Sequence, residues 1–199
     1  MNPHPPSKGL RWVDISLPAL RAALDEAAEV SDALDLRANA FGFGETRVSA
    51  LAQEKSLATH NGSPAWVERA HAHGAQKLHA RVVHVKSVPA GESVSYGGHF
   101  TTDRPTTLAL ISVGFADGVP RLDPVGGEIE LAGQRVPIAG RIAMDQMIVD
   151  ATGLDVSPGD VATIWGGLVS LHEWAGWSGR SVWEIGSTLA ERVRVGEVS

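Results

Sequence analysis

Cysteine is absent from this 199-residue sequence, and no stretch is apolar over the length of a membrane span. The first absence excludes disulfide bonds and metal sites built on thiolates. The second argues against a helix that crosses a bilayer, which needs about 20 apolar residues. The opening MNPHPPSKGL lacks the apolar centre of a secretion signal. We therefore expect no membrane partner, a flexible leader over residues 1–10 and a cytoplasmic protein.

Positive charge is also scarce. Lysine and arginine number 17 against 23 acidic residues, which gives a formal net charge of −6. The basic residues form no stripe, so we do not expect nucleic acid as a partner. With 43% hydrophobic and 20% charged residues, the composition is typical of a globular protein with one domain or two small ones.

The segment 11–54 alternates strand and helix patterns. Residues 11–15 predict a short strand, and Ser16 follows as a helix N-cap with Pro18 in the first turn. Apolar residues at offsets of three and four then predict one helical stripe: Leu17, Leu20, Leu24 and Ala27. A second strand is predicted over 33–37. Together these elements predict a β-α-β unit, and residues 65–76 predict one further short helix.

From residue 78 onward the pattern changes to short β-branched runs separated by turns such as PAGE, TDRP and SPGD. This predicts a mostly antiparallel β domain over 79–199, preceded by a β/α segment over 1–78. Near the end, Ser181 and Glu184 form a capping box that predicts a last helix. Its apolar face is predicted to carry Ile185, Leu189 and Val193.

Two familiar kinds of site are not supported. Four histidines, His71, His73, His79 and His84, lack ligand spacing on one face, so we predict no metal site. The turn Gly42-Phe43-Gly44 lacks the third glycine of a dinucleotide fingerprint. By itself it indicates only a tight turn.

Five motifs, taken in order, are more specific. They read LRANAFGFG (36–44), ESVSYGGHF (92–100), VGFADGVPR (113–121), GRIAMDQMIVDAT (140–152) and PGDVATIWG (158–166). This set resembles the alanine racemase family, whose members use pyridoxal phosphate (PLP) to interconvert L- and D-alanine. The resemblance implies a remnant of a PLP-binding (β/α) barrel followed by the family's C-terminal β domain. A full barrel needs about 250 residues, so 78 residues suffice for only two or three β-α units.

The resemblance places two catalytic positions on residues that lack the required chemistry. Arg37 stands where the family has its Schiff-base lysine, and a guanidinium with a pKa above ~12 cannot form that linkage. Phe100 is placed at the tyrosine that acts as the base on the opposite face, and phenylalanine has no exchangeable proton. The sequence therefore predicts no covalently bound PLP.

Further aromatic positions have lost a hydroxyl. Phe41 stands at a phosphate-binding tyrosine, Phe115 at the tyrosine of GYADG, and Trp183 at the tyrosine of a YE element. The resemblance assigns Arg37, Phe41 and Trp183 to cofactor-binding positions and Phe115, Met144 and Asp145 to the substrate side. In the family, the backbone of the element that contains Met144 and Asp145 faces the substrate carboxylate. Other matching positions, which we expect to hold turns and domain contacts, are Asn39, Gly42, Asp117 and Arg141. Three lysines, Lys55, Lys77 and Lys86, are expected to be solvated surface residues.

These substitutions predict an alanine-racemase-like protein without racemase activity, in an interaction or regulatory role. Two alternatives stay open: a working PLP-dependent amino-acid racemase that supplies D-alanine, and a decayed gene product. As partners, the resemblance implies a second copy of the chain or a full-length racemase subunit. A small anion at Arg37 is also possible, although Arg37 could instead pair with Asp35 or Glu45.

Overall fold

The computed structural model describes residues 9–30, 33–59, 62–122 and 126–199. The helices are α1 (Leu17–Glu29), α2 (Arg37–Phe41), α3 (Glu45–Glu54), α4 (Ala65–Ala72), α5 (Leu171–Ser178) and α6 (Val182–Ser187). The strands are β1 (Arg11–Ser16), β2 (Gln76–Val88), β3 (Ser93–Val94), β4 (Phe100–Thr101), β5 (Thr106–Ile111), β6 (Glu128–Leu131), β7 (Gln134–Pro137), β8 (Met147–Asp150), β9 (Val161–Trp165) and β10 (Arg194–Val198).

One eight-stranded sheet organises the chain. Its main order is β10-β1-β2-β9-β6-β7, and the second half of β2 also pairs with β5, which pairs with β8. Every pairing in this sheet is antiparallel except that of β1 with β10. The predicted mostly antiparallel β region is therefore confirmed. Strands β3 and β4 form a separate hairpin.

Strand β1 links the two ends of the sequence. Trp12 is paired with His79 of β2 on one side and with Arg194 of β10 on the other. Helix α1 starts directly after this strand because the Ser16 hydroxyl accepts the Ala19 N–H, as the sequence predicts. Both edges of β1 are therefore hydrogen-bonded to other strands.

The second strand predicted over 33–37 is wrong. Leu34 makes one isolated parallel bridge to Ser63, and Arg37 begins α2. This short turn is left-handed, with φ between 51° and 54° from Ala38 to Phe41. Neither strand beside β1 comes from residues 33–37, so no β-α-β unit forms with β1.

The other helix predictions differ mainly in length. Helix α4 ends at Ala72, and Gln76 already belongs to β2. The capping box of Ser181 and Glu184 is confirmed, with both reciprocal bonds formed. Helix α6 ends at Ser187, however, so Leu189 and Val193 follow it instead of extending its face.

The larger of two buried apolar clusters among the described residues spans both segments. Leu24, Phe43 and Trp66 from the first segment belong to the same buried cluster as Trp165 and Trp174 from the second. The predicted boundary at residue 78 falls inside β2. A division into two domains there remains a proposal. The predicted leader 1–10 lies outside the described residues except for Gly9 and Leu10.

Candidate functional site

Arg37 lies at the start of α2 and binds its neighbour Asp35. Its Nε and Nη2 atoms donate to the Asp35 carboxylate at 2.9 and 2.5 Å from Oδ2. The side-chain hydrogen bonds from Arg37 hold the pKa of Asp35 below its usual value. The Asp35 side chain is buried and that of Arg37 is 84% exposed. Of the two partners considered from the sequence, Arg37 therefore takes Asp35.

A polar cavity of about 680 Å³ surrounds this pair. Its lining consists of Asp35, Arg37 and Glu45 together with Leu34, Leu36, Thr59 and Gly62. Glu45 opens α3, where its N–H is accepted by the Asn39 side chain. The cavity thus contains two carboxylates and one guanidinium, which is already paired.

Phe41 and Trp183 lie away from this cavity lining. Phe41 packs edge-on against Trp66, with ring centroids 6.4 Å apart. The Trp183 indole N–H donates to Glu68 at 3.1 Å. Both rings fill space, and neither presents a hydroxyl to the Asp35–Arg37 pair.

A second cavity, of about 530 Å³, contains the predicted substrate-side residues. Phe115, Met144 and Asp145 line it together. Tyr96, the only tyrosine of the sequence, also lines it and is 76% exposed. Sequence analysis gave Tyr96 no role, although it stands in the middle of the ESVSYGGHF motif. We name this set of residues the tyrosine cavity.

Phe100 is not among the residues that line the tyrosine cavity. It lies in β4 and packs against a small apolar cluster that includes Val88, Val94, Leu108 and Ala139. The structure therefore places Phe100 under the hairpin and Tyr96 at its tip. The side chain that faces the predicted substrate-side residues carries a phenol hydroxyl.

Charged side chains fix the wall of the tyrosine cavity. Buried Asp117 binds Arg11 and Arg192 at 2.7 Å each and accepts the Gly114 N–H at 2.9 Å. Arg192 also binds Asp145 at 2.6 Å, and this hydrogen bond raises the pKa of Arg192. Asp145 is thereby tied to the core through a continuous ion-pair network.

Two arginines, Arg121 and Arg141, also line the tyrosine cavity. The Arg121 guanidinium carbon lies 3.8 Å from the centroid of the Phe115 ring, a cation–π contact. The tyrosine cavity therefore combines a phenol, two guanidinium groups and one carboxylate.

The cavity around Arg37 and the tyrosine cavity share no lining residue. Among the described residues, Arg37 and Tyr96 thus line different cavities.

The histidines named in the sequence analysis lie in different surroundings. His71 is buried in α4, His73 binds Glu26 at 2.7 Å, and His79 stacks on Trp12. Within the described ranges, no three or more histidine, aspartate or glutamate side chains are grouped as a metal site would need. The helices described there also include none long and apolar enough to cross a membrane.

A family model for the alanine racemase C-terminal domain matches residues 75–196, which is more than half of the chain. The chain belongs to the alanine racemase family. Among curated proteins, an alanine racemase from Salinispora tropica is 43% identical over 149 residues, which cover 71% of this chain and 40% of that protein. The chain thus spans about two fifths of the length of this relative.

Solved alanine racemases share the fold. One from Clostridium difficile 630, in complex with cycloserine, is 30% identical with a TM-score of 0.59, over 62% of this chain and 33% of that one. Another, from Bartonella henselae with covalently bound pyridoxal phosphate, is 18% identical with a TM-score of 0.81, over 96% of this chain and 100% of that one. The family resemblance and the fold class inferred from the motifs are confirmed.

The residues that the sequence resemblance assigns to cofactor positions do not have the chemistry for a covalent PLP linkage. The guanidinium of Arg37 keeps its proton, and its hydrogen bonds with Asp35 raise its pKa further. Phe41 has no hydroxyl for a phosphate. Elsewhere, Lys55 is bound to Asp25, and Lys77 and Lys86 are exposed on β2, outside the lining of both cavities.

Proposed function

We propose that this chain is a half-site member of the alanine racemase family. It performs no racemisation alone and supplies the tyrosine cavity to a racemase subunit that carries its own lysine and cofactor. One observation carries the proposal: Tyr96 lies exposed beside Met144 and Asp145, whereas the lysine position holds Arg37 in an ion pair with Asp35.

The loss of activity in the isolated chain follows from Arg37. Imine formation with a carbonyl needs an amine that can shed its proton, and a guanidinium does not do so in a protein. Another lysine of the chain does not supply this amine at either cavity, because Lys55, Lys77 and Lys86 line neither of them. The expected inactivity is a property of the residues at the site and not of the fold.

The second half of the proposal follows from Tyr96. A phenol can deliver a proton to one face of an amino-acid α-carbon, and in its deprotonated form, the phenolate, it can remove one from that face. The neighbouring guanidinium groups of Arg121 and Arg141 provide a positive wall suited to a carboxylate. The Arg192–Asp145 pair keeps that wall in place. An active site would be complete only where another subunit brings an amine to face Tyr96.

A mixed-subunit assay tests this function. The chain is co-expressed with a full-length alanine racemase whose own cavity tyrosine is replaced by phenylalanine. We expect no D-alanine from either protein alone and measurable turnover from the co-purified pair. Turnover is lost again with Tyr96→Phe, whereas Phe100→Leu, which keeps an apolar side chain, retains it.

Borohydride reduction followed by mass spectrometry is the second arm. We expect no pyridoxyl adduct on this chain. A stoichiometric adduct on Lys55, Lys77 or Lys86 would contradict the proposal and support the alternative of a working racemase. Failure to co-purify with any racemase subunit, together with no turnover, would instead favour a decayed gene product.

A further inference from the structure

Tyr96 stands at the tip of the β3–β4 hairpin. The hairpin is closed by pairing of Ser93 with Thr101 and of Val94 with Phe100. At its base, Val94 and Phe100 pack into the small apolar cluster with Ala139. The tip, residues 95–99, contains Gly97 and Gly98 directly after the tyrosine. Two consecutive glycines give this loop a wide choice of conformations, so something else must fix the direction of Tyr96.

Ser95 has an unusual backbone conformation just before Tyr96. Its φ of 66° and ψ of 179° lie in a region that is essentially reserved for glycine. Such strain persists only where surrounding contacts hold the residue in place. Here the Ser95 hydroxyl donates to the Arg141 carbonyl at 2.7 Å. This hydrogen bond joins the hairpin tip to the segment that continues into the wall of the tyrosine cavity.

Gly140 allows this close approach. Its φ is 90°, and a Cβ built there would lie 2.6 Å from the Ser95 Cβ and 2.9 Å from the Val94 carbonyl oxygen. These separations are shorter than ordinary contacts, so only glycine lets the two backbones touch. Ser95 thus packs directly against Gly140. Ser95 is the residue before Tyr96, and Gly140 is the residue before Arg141.

We propose that Ser95 is a positioning residue, which uses its strained backbone and its hydrogen bond to Arg141 to hold the Tyr96 ring over the tyrosine cavity. The effect of Ser95 on catalysis rests on the proposed function. Its effect on the orientation of Tyr96 does not. Because a displacement of about 1 Å at a reacting group can cost about 10²-fold in rate, a tether at this place would decide how well the half-site works.

The single tyrosine gives a direct test on the isolated chain. Protein labelled with 3-fluorotyrosine has one ¹⁹F resonance from residue 96, since the sequence contains no other tyrosine. We expect one sharp, shifted line for the unmodified sequence and for the control Ser93→Ala, which alters an exposed serine of the same hairpin. Ser95→Ala removes the hydroxyl donor, and we expect its resonance to broaden or split and to move toward that of free fluorotyrosine.

Two further variants keep the test decisive. Ser95→Gly relieves the strain and removes the hydrogen bond, so it remains folded and informative if Ser95→Ala does not fold. Gly140→Ala pushes the cavity wall away from Ser95, and we expect the same loss of the shifted line. An unchanged resonance in Ser95→Ala and Ser95→Gly, both folded by circular dichroism, would overturn the proposal.

The mixed-subunit assay separates this inference from the proposed function. If the pair is active, Ser95→Ala should lower kcat by about 10- to 100-fold with little change in KM. Activity unaffected by the Ser95 variants would refute the positioning role and leave the half-site function intact. A pair that is inactive with the unmodified chain would refute the half-site function, and the ¹⁹F spectra would still decide the role of Ser95.

Discussion

At the residue scale, single side chains decide which reactions are open to this chain. Arg37 and Tyr96 differ in one respect that matters for racemisation: only the phenol exchanges a proton readily. The ion pair with Asp35 satisfies the guanidinium, and this favours a structural role over anion capture. Binding of a small anion would have to break or share that pair.

His71 makes stability depend on pH. Burial, with a smaller effect of His172, lowers its pKa to about 3, and its Nε2 atom has no hydrogen-bond partner among the described residues. In the unfolded chain the same group titrates near 6.5. Between these values the unfolded state binds the proton and the folded state does not, so stability falls as pH drops from about 6.5 toward 3.

We therefore expect the free energy of unfolding to be about 2 kcal/mol lower at pH 5 than at pH 8 through this one group. Urea unfolding at the two pH values measures the difference. His71→Gln does not titrate, so its loss between pH 8 and pH 5 should be smaller by that amount. An equal loss in both proteins would show that His71 has little effect.

At the element scale, the left-handed turn α2 depends on a close contact with α6. Gly42 ends this turn with φ 85°, and a Cβ built there would collide with the Gly186 carbonyl oxygen. The turn itself puts four non-glycine residues in a conformation that costs roughly 1–2 kcal/mol each. The packing of α2 against α6 offsets this cost. A substitution that disturbs this contact should therefore lower the free energy of unfolding substantially.

Gly42→Ala should consequently destabilise the protein by more than the strain of its φ alone, on the order of 3 kcal/mol. The matched control is Gly133→Ala in the β6–β7 hairpin, where φ is 72° and nothing lies within 4 Å of the added Cβ. We expect only about 1 kcal/mol for that control. Thermal and urea unfolding compare the two, and equal losses would argue against the importance of the α2–α6 contact.

At the scale of the whole molecule, the first segment and the β region share one core. Strand β1 is paired on both sides, so its backbone edges are not available to a partner. An association surface is better sought at the tyrosine cavity, where Tyr96 and Met144 are large and exposed. This is also the surface on which the half-site proposal depends.

A shared core predicts one cooperative unfolding transition. Tryptophan fluorescence follows Trp66 in the first segment and Trp165 and Trp174 in the second, while far-ultraviolet circular dichroism follows the backbone. We expect the two probes to give the same midpoint. Separate transitions, with the helices of the first segment melting earlier, would support a division into two domains near residue 78.

The sequence by itself determined the family and much of the local structure. The motifs identified the alanine racemase family, and the caps at Ser16 and Ser181 were correct because they depend on neighbours within three residues. The same local signal, Ser170 followed by Glu173, marks α5 and was missed. The motifs also assigned Phe115, Met144 and Asp145 to the substrate side, which stays a prediction.

Only the tertiary structure decided which residues share a site. Tyr96 and Phe100 lie four positions apart in one motif. The hairpin places Tyr96 at the tyrosine cavity and Phe100 against the small apolar cluster below it. The strand predicted over 33–37 failed for a similar reason, since β1 takes its partners from residues 76–80 and 194–198. Strand pairing and burial are long-range properties, and no pattern within a short window of sequence fixes them.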